Sequence, residues 1–126
     1  MNEIMVFLAE GENHVRQAIQ LSLDHQQGIK VTGSARHAES LLAQIAQFLP
    51  DVLLLDWHLP GMNPQRMLPV IRQYCPDTKI IATVLRSKLG KDALAYGIDA
   101  YLIKGLPPDD FVSSLKDLLS SSDLRH

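Results

Sequence analysis

The sequence predicts an α/β protein in which five parallel strands form one doubly wound sheet. Five short apolar runs support the prediction, and they lie at residues 5–9, 29–33, 52–55, 79–85 and 100–103. Apolar residues recur at helical spacing in the segments between these runs. Alternation of this kind indicates βα units, whose strands pair in parallel.

The first two helices are predicted from apolar stripes that each fill one helical face. The first stripe consists of Val15, Ala18, Ile19 and Leu23, and the second of Ala38, Leu41, Leu42, Ile45 and Leu49. Residues spaced by three and four positions lie on the same side of a helix. Each helix therefore has one face to pack against the sheet.

The third helix has sequence signals at both of its ends. Asn63 suits the N-cap, Pro64 suits the first helical position, and Pro76 ends the segment. These boundaries predict a helix that packs through Met67, Leu68 and Ile71.

The last two helices differ in strength. The fourth is predicted to be short, at residues 91–96, because Gly90 precedes it and Gly97 suits a left-handed cap. The fifth begins at 107–110, where two prolines and two aspartates suit a first turn, and ends at the three serines 120–122.

Length and composition indicate one domain at residues 1–119, followed by a polar tail or linker stub at 120–126. Apolar residues make up 46% of the chain and charged residues 21%, which is typical of a globular domain. We expect a cytoplasmic location, since the amino terminus lacks a secretory signal and no apolar stretch could span a bilayer. A net charge of −2 argues against direct contact with nucleic acid.

Asp56 is the leading candidate for function. It follows the apolar run 52–55, and a turn containing Pro60 and Gly61 follows it. Open α/β sheets bind ligands at the carboxyl ends of their strands, so this carboxylate is expected at the site.

Two segments carry a family resemblance. Residues 50–62 read PDVLLLDWHLPGM, and residues 97–104 read GIDAYLIK. Together with VFLAE at 6–10, they resemble the receiver domain of two-component response regulators, which implies a flavodoxin-like (βα)5 fold. The KGLPP segment at 104–108 is similar to regulators with a helix-turn-helix DNA-binding output.

The resemblance implies phosphoryl transfer from a histidine kinase to Asp56. Lys104 matches the family's lysine, which partners the phosphoryl group. Glu10, Asp56 and the backbone carbonyl of His58 match the positions that hold Mg²⁺. A cation is needed because a carboxylate that attacks a phosphoryl group brings negative charges together.

The chain departs from the family in its acidic pair. Gly11 stands where the family has the aspartate that usually contacts the metal. Glu12 could compensate, although it lies on the following turn. We expect weakened Mg²⁺ binding, because Mg²⁺ is held by few carboxylates and the loss of one matters.

A second departure concerns the switch position at the end of the fourth strand. Matching Pro76 and the apolar run places Val84 where the family has a hydroxyl residue, and a shifted register would place Thr83 or Ala82 there. Tyr101 matches the family's aromatic switch position.

We therefore expect a signalling domain, not a turnover enzyme, that acts through Asp56 to control an output such as transcription. By the same resemblance, the face that contains Tyr101 is the expected contact surface and a candidate for homodimerisation. The alternative is a pseudo-receiver, an interaction module that works without phosphorylation and is locked by a pair of Asp56 and Lys104.

Two other classes fit poorly. A phosphatase of the haloacid dehalogenase type needs a second aspartate at the position of His58. A flavin site needs a phosphate loop after the first strand, where residues 11–14 carry a negative charge instead.

Overall fold

A computed structural model describes residues 3–120 as five strands and five helices that alternate along the chain. The strands are β1 (Ile4–Ala9), β2 (Ile29–Ala35), β3 (Val52–Asp56), β4 (Lys79–Val84) and β5 (Ala100–Ile103). The helices are α1 (Asn13–Asp24), α2 (Ala38–Phe48), α3 (Pro64–Tyr74), α4 (Ser87–Ala95) and α5 (Pro108–Ser120).

The strands form one parallel sheet in the order β2-β1-β3-β4-β5, which confirms the predicted fold class. The strand order reverses between β1 and β3. Such a reversal opens a crevice outside the carboxyl ends of these two strands.

Each face of the sheet has its own core. On one face, α2, α3 and α4 cover a cluster that includes Phe7, Leu53, Leu55, Ile80 and Val84. On the other face, α1 and α5 cover a cluster that includes Val6, Leu54, Ile81, Leu102 and Phe111. Alternate residues of a strand point to opposite faces, so strand position decides which helices a side chain meets.

The prediction for α4 was wrong at its start. The helix begins at Ser87, four residues before the predicted start, and includes Gly90. A Cβ atom at position 90 would overlap Cδ1 of Tyr101, so the aromatic ring fills the space that a side chain would need. Gly97 follows the helix with a φ of 100°, as predicted for a left-handed cap.

Most of the other boundaries agree with the sequence to within two residues. Asn63 caps α3 by accepting a hydrogen bond from Gln65 N, and Pro64 takes the first helical position. Strand β2 extends to Ala35, two residues further than predicted. Helix α5 still includes Ser120, and the rest of the predicted tail, 121–126, lies outside the described residues.

Strand β2 lies at one edge of the sheet and contains an irregularity. Val6 pairs with Val31, whereas Phe7 pairs with Gly33, so Thr32 is an extra residue on β2. The hydroxyl of Thr32 donates to the carbonyl of Val6 at 3.3 Å. This bulge bends the edge strand.

Within residues 3–120, no helix has the length and apolar character needed to cross a membrane.

Candidate functional site

Three charged side chains meet at the carboxyl ends of β1, β3 and β5. Nζ of Lys104 lies 2.7 Å from Oδ1 of Asp56 and 2.9 Å from Oε1 of Glu10. The exposed fractions of these side chains are 9% for Lys104, 5% for Asp56 and 1% for Glu10. One buried ammonium therefore serves two buried carboxylates, which leaves an excess of negative charge.

Backbone amides also hold the carboxylate of Asp56. The N–H of His58 donates to Oδ1 at 2.9 Å, and the N–H of Gly11 donates to Oδ2 at 3.1 Å. Burial alone would raise the pKa of Asp56, but Lys104 and these two amides outweigh it and hold the pKa below its usual value. Asp56 is therefore ionised at neutral pH.

The ionised form is less favoured for Glu10 than for Asp56. Its Oε2 accepts from the N–H of Glu12 at 3.0 Å, and its backbone carbonyl accepts from the Arg16 guanidinium at 3.1 Å. Burial raises the pKa of Glu10 above its usual value, although Lys104 acts in the opposite direction. The hydrogen bond from Arg16 to the Glu10 carbonyl was not predicted from the sequence, because an arginine near the start of an exposed helix is common.

Gly11 allows two loops to pack closely. A Cβ atom at this position would lie 2.5 Å from Cδ of Pro60, too close for any side chain without movement. Glu12 does not replace the acid that is missing at Gly11. Both its carboxylate oxygens accept hydrogen bonds from the first turn of α1, from His14 N and Val15 N. Capping therefore occupies the one acid that could compensate.

The donor set meets a minimal requirement for Mg²⁺. Glu10 and Asp56 both contact the same ammonium, so their carboxylates lie close together, and Mg²⁺ is commonly held by one or two carboxylates with water. Within residues 3–120, no group of three or more His, Cys, Asp or Glu side chains is placed to hold a metal. The carbonyl of His58 stays a predicted ligand.

Val84 and Thr83 point to opposite faces of the sheet. Val84 is fully buried in the cluster under α2, α3 and α4, against which Tyr101 also packs. Thr83 pairs in register with Asp56 and Leu102, and it lies on the face of α1 and α5 by strand alternation. Val84 thus shares a face with Tyr101, whereas Thr83 pairs with Asp56, and the switch role of these residues stays a prediction.

Tyr101 rests on the glycine of α4. Its ring covers Gly90, and the residue is partly exposed. Sequence reasoning missed this contact, although a glycine inside a helical pattern is a known sign of close packing.

Trp57 connects the site to the end of α4. Its ring centroid lies 5.7 Å from that of Tyr96, with an angle of 57° between the planes. The backbone N–H of Trp57 donates to the carbonyl of Thr83 at 3.0 Å. The side chain next to Asp56 therefore packs against α4.

Lys104 also borders an apolar groove between α1 and α5. The groove has a volume of about 240 Å³, and Val15, Ile19 and Phe111 are among its lining residues. Lys104 thus lies on the α1 and α5 side of the sheet.

Curated relatives include two bacterial regulators. The transcriptional regulatory protein CitT of Bacillus subtilis is 32% identical over 86% of this chain and 49% of its own length. The nitrate/nitrite response regulator protein NarL of Escherichia coli is 32% identical over 80% of this chain and 46% of its own length. The chain spans about half the length of the curated relatives it matches.

Solved structures share the fold. The receiver domain of the putative response regulator NarL from Mycobacterium tuberculosis has a TM-score of 0.81 at 23% identity, covering 94% of this chain and 97% of that one. The isolated domain of RcsB from Salmonella enterica, solved with the phosphomimetic BeF₃⁻, has a TM-score of 0.80 at 19% identity and covers 98% of this chain and 97% of that one.

The family profile matches nearly the whole described chain. The model of the response regulator receiver domain matches residues 6–116, which include Glu10, Asp56 and Lys104. With β1 to β5 in the order and pairing described above, the chain belongs to the response regulator receiver domain family, a family of signalling domains.

Proposed function

We propose that Asp56 accepts a phosphoryl group from a phosphohistidine of a histidine kinase. The observation that carries the proposal is the buried, ionised carboxylate of Asp56 with the Lys104 ammonium 2.7 Å away. An ionised carboxylate is a competent nucleophile, and an ammonium beside it can stabilise negative charge on a transferring phosphoryl group.

In the proposed step, one carboxylate oxygen of Asp56 attacks the phosphorus atom. The bond between phosphorus and the kinase imidazole nitrogen breaks, and its electron pair stays on that nitrogen. The product is an acyl phosphate on Asp56. Lys104 then turns towards the phosphoryl oxygens and leaves Glu10, because the new group carries more charge than the carboxylate did.

We further propose that Glu10, Asp56 and the carbonyl of His58 hold Mg²⁺ during signalling. The cation would neutralise charge on the phosphoryl oxygens. With Gly11 in place of an acid, and with Lys104 already on both carboxylates, we expect weaker binding than in receivers with a complete acidic pair.

The wider role is proposed from the relatives. CitT is a transcriptional regulatory protein and NarL is a response regulator, so we propose that this domain controls transcription in the cytoplasm through an output segment or a partner. We propose the face of α4, β5 and α5 that contains Tyr101 as the surface for homodimerisation or partner contact.

The pseudo-receiver is the competing proposal. The ion pairs of Lys104 with Glu10 and Asp56 support it, since they link both carboxylates to a cation without a ligand. The ionised Asp56 fits both proposals, and one experiment separates them.

The experiment is a titration with Mg²⁺ and beryllofluoride that follows the fluorescence of Trp57, the single tryptophan of the chain. We expect a saturable change in wild type at millimolar Mg²⁺ that is lost in Asp56→Asn. Asp77→Asn, at an exposed position, is the matched control and should respond like wild type.

A second readout tests the covalent step directly. Incubation with phosphoramidate should add the mass of one phosphoryl group to wild type and to Asp77→Asn, but not to Asp56→Asn. If wild type shows neither the fluorescence change nor the added mass, phosphorylation is excluded and the pseudo-receiver becomes the better account.

A further inference from the structure

Arg16 brings a second cation next to the site without contacting a carboxylate. The residue lies near the start of α1, and Nη1 of its guanidinium donates to the backbone carbonyl of Glu10 at 3.1 Å. Nη2 donates to Oδ1 of Asn13 at 2.6 Å, so the planar group is held at two points. Within residues 3–120, Arg16 forms no salt bridge. Its charge therefore acts on a peptide group.

The peptide between Glu10 and Gly11 connects this cation to Asp56. Its carbonyl accepts from Arg16, and its N–H donates to Oδ2 of Asp56 at 3.1 Å. The peptide is trans, so these two groups point in opposite directions. A cation thus lies at the negative end of the peptide dipole and a carboxylate at its positive end. Because linked hydrogen bonds polarise one another, the guanidinium strengthens the bond from Gly11 N to the carboxylate.

The two oxygens of Asp56 have different partners. Lys104 and the N–H of His58 both donate to Oδ1, whereas the N–H of Gly11 donates to Oδ2. Pro60 packs against Gly11 and limits movement of this peptide. With the ammonium beside Oδ1, that oxygen is the one expected to carry a phosphoryl group. Oδ2 would then become the carbonyl oxygen of the acyl phosphate.

The charge on Oδ2 changes when the phosphoryl group is lost. In the acyl phosphate Oδ2 is a neutral carbonyl oxygen, and in the product it shares the negative charge of a carboxylate. Hydrogen bonds to ionised acceptors are roughly twice as strong as those to neutral ones. The N–H of Gly11 therefore stabilises the departing carboxylate more than the acyl phosphate, which lowers the barrier to cleavage.

We propose that Arg16, acting through the peptide between Glu10 and Gly11, stabilises Asp56 as the leaving group and thereby shortens the lifetime of its phosphorylated form. This inference rests on the proposed phosphorylation of Asp56. In the hydrolysis step a water oxygen attacks phosphorus, the bond between phosphorus and Oδ1 breaks, and its electron pair returns to the carboxylate. The protons of the water leave with the phosphate. Arg16 contacts none of the reacting atoms, so it is a positioning residue.

The test compares rates of phosphoryl loss. Each protein is phosphorylated with phosphoramidate in the presence of Mg²⁺, the reagent is removed, and the added mass is followed over time. Arg16→Met removes the cation, Arg16→Lys keeps the charge without the planar fork, and Arg66→Met, exposed on α3, is the matched control. NMR of the unphosphorylated proteins records the chemical shift of the Gly11 amide proton. Urea midpoints compare their stability.

We expect Arg16→Met to lose the phosphoryl group about threefold more slowly than wild type, the effect of removing polarisation from one charge-assisted hydrogen bond. Arg16→Lys should lie between the two, and Arg66→Met should match wild type. The Gly11 amide proton of Arg16→Met should move upfield, because its hydrogen bond is weaker. A residue that only supported the fold would lower the urea midpoint without lengthening the phosphoryl lifetime.

Three results would overturn the inference and leave the proposed function standing. The first is a phosphoryl lifetime in Arg16→Met equal to or shorter than that of wild type. The second is an unchanged Gly11 amide shift in that variant, because the guanidinium would then not act through the peptide. The third is an Arg16→Lys lifetime no closer to wild type than that of Arg16→Met. A wild-type protein that gains no mass with phosphoramidate would instead remove the proposed function and this inference together.

Discussion

The two ends of the sheet use the same residue types in different ways. At the amino end, Oδ2 of Asp51 accepts from Met5 N at 2.8 Å, and Oδ2 of Asp99 accepts from Ile80 N at 2.7 Å. Arg72 pairs with Asp99 at 3.1 Å. At the carboxyl end, two carboxylates share the ammonium of Lys104.

The two ends differ in how completely their polar atoms are paired. At the amino end, each carboxylate binds a backbone amide of a strand, and the hydroxyl of Thr78 donates to Pro50 O at 2.6 Å. At the carboxyl end, two carboxylates face one ammonium, so negative charge is in excess. The hydroxyl of Thr83 has no hydrogen-bond partner among the described residues. Among residues 3–120, the two buried side-chain oxygens without a hydrogen-bond partner, Oε1 of Glu10 and Oγ1 of Thr83, both lie at the carboxyl end.

The largest effect should follow removal of the shared cation. Lys104→Met would leave Glu10 and Asp56 buried together without compensation, and we expect it to lower the free energy of unfolding by about 3 kcal/mol. Urea denaturation measures the loss. Added Mg²⁺ should recover more stability in this variant than in wild type, because it can replace the ammonium.

Lys116→Met, at an exposed position of α5, is the matched control and should leave stability unchanged. A Lys104→Met protein as stable as wild type would show that water reaches the carboxylates, and the comparison between the two ends would fail.

The next effect concerns the missing acid. Gly11→Ala and Gly11→Asp each place a Cβ atom against Pro60, and we expect each to lower the free energy of unfolding by about 2 kcal/mol. Pro60→Ala in the same chain should recover much of that loss. Calorimetry of Mg²⁺ binding should then show tighter binding for Gly11→Asp with Pro60→Ala than for wild type.

If Gly11→Asp alone is as stable as wild type and binds Mg²⁺ more tightly, the contact with Pro60 is not what keeps glycine at this position. Gly11→Ala separates the steric effect from the added charge.

A smaller effect is expected at the amino end. Arg72→Met removes an ion pair whose side chains are 32% and 27% exposed, together with hydrogen bonds to the carbonyls of Thr78 and Gly97. Solvent screens such a pair, so we expect a loss of about 1 kcal/mol in urea denaturation. Arg66→Met, exposed on α3, is the control. A loss of unfolding free energy as large as that of Lys104→Met would show that the ion pairs at the two ends of the sheet stabilise the fold equally.

The smallest effect is a change in pH dependence. The pKa of Glu10 is raised above its usual 4.5 in the folded state. Wild type therefore loses stability as the pH rises from 4.5 through the raised pKa of the folded state. Glu10→Gln cannot ionise, so it should gain stability relative to wild type between pH 4.5 and neutrality, and the gain should vanish at lower pH.

Asp117→Asn, exposed on α5, should track wild type across the same pH series. A stability difference for Glu10→Gln that does not change with pH would contradict the raised pKa. The lowered pKa of Asp56 affects a separate window, below its usual 3.8, where its stabilisation is lost as the pH falls.

Sequence reasoning was most successful where one residue decides one feature. Asn63 and Pro64 fixed the start of α3, and the apolar run before Asp56 placed that residue at the carboxyl end of a buried strand. The shared location of Glu10, Asp56 and Lys104 followed from the family resemblance and is found in the structure.

The rest depended on contacts between distant segments. The start of α4 was missed because Gly90 suggested a boundary, whereas the ring of Tyr101 leaves room only for glycine at that helical position, and no local pattern reveals the ring. The contact of Gly11 with Pro60 and the unpaired hydroxyl of Thr83 likewise arise only when strands from different parts of the chain come together.

The bulge at Thr32 bears on how this domain behaves at high concentration. An exposed edge strand offers unpaired amides and carbonyls to other chains, and β2 is such a strand. Its bent ladder makes a poor template for intermolecular pairing, and β5, at the opposite edge, has only four residues. Both features disfavour pairing between the sheet edges of neighbouring copies at high concentration.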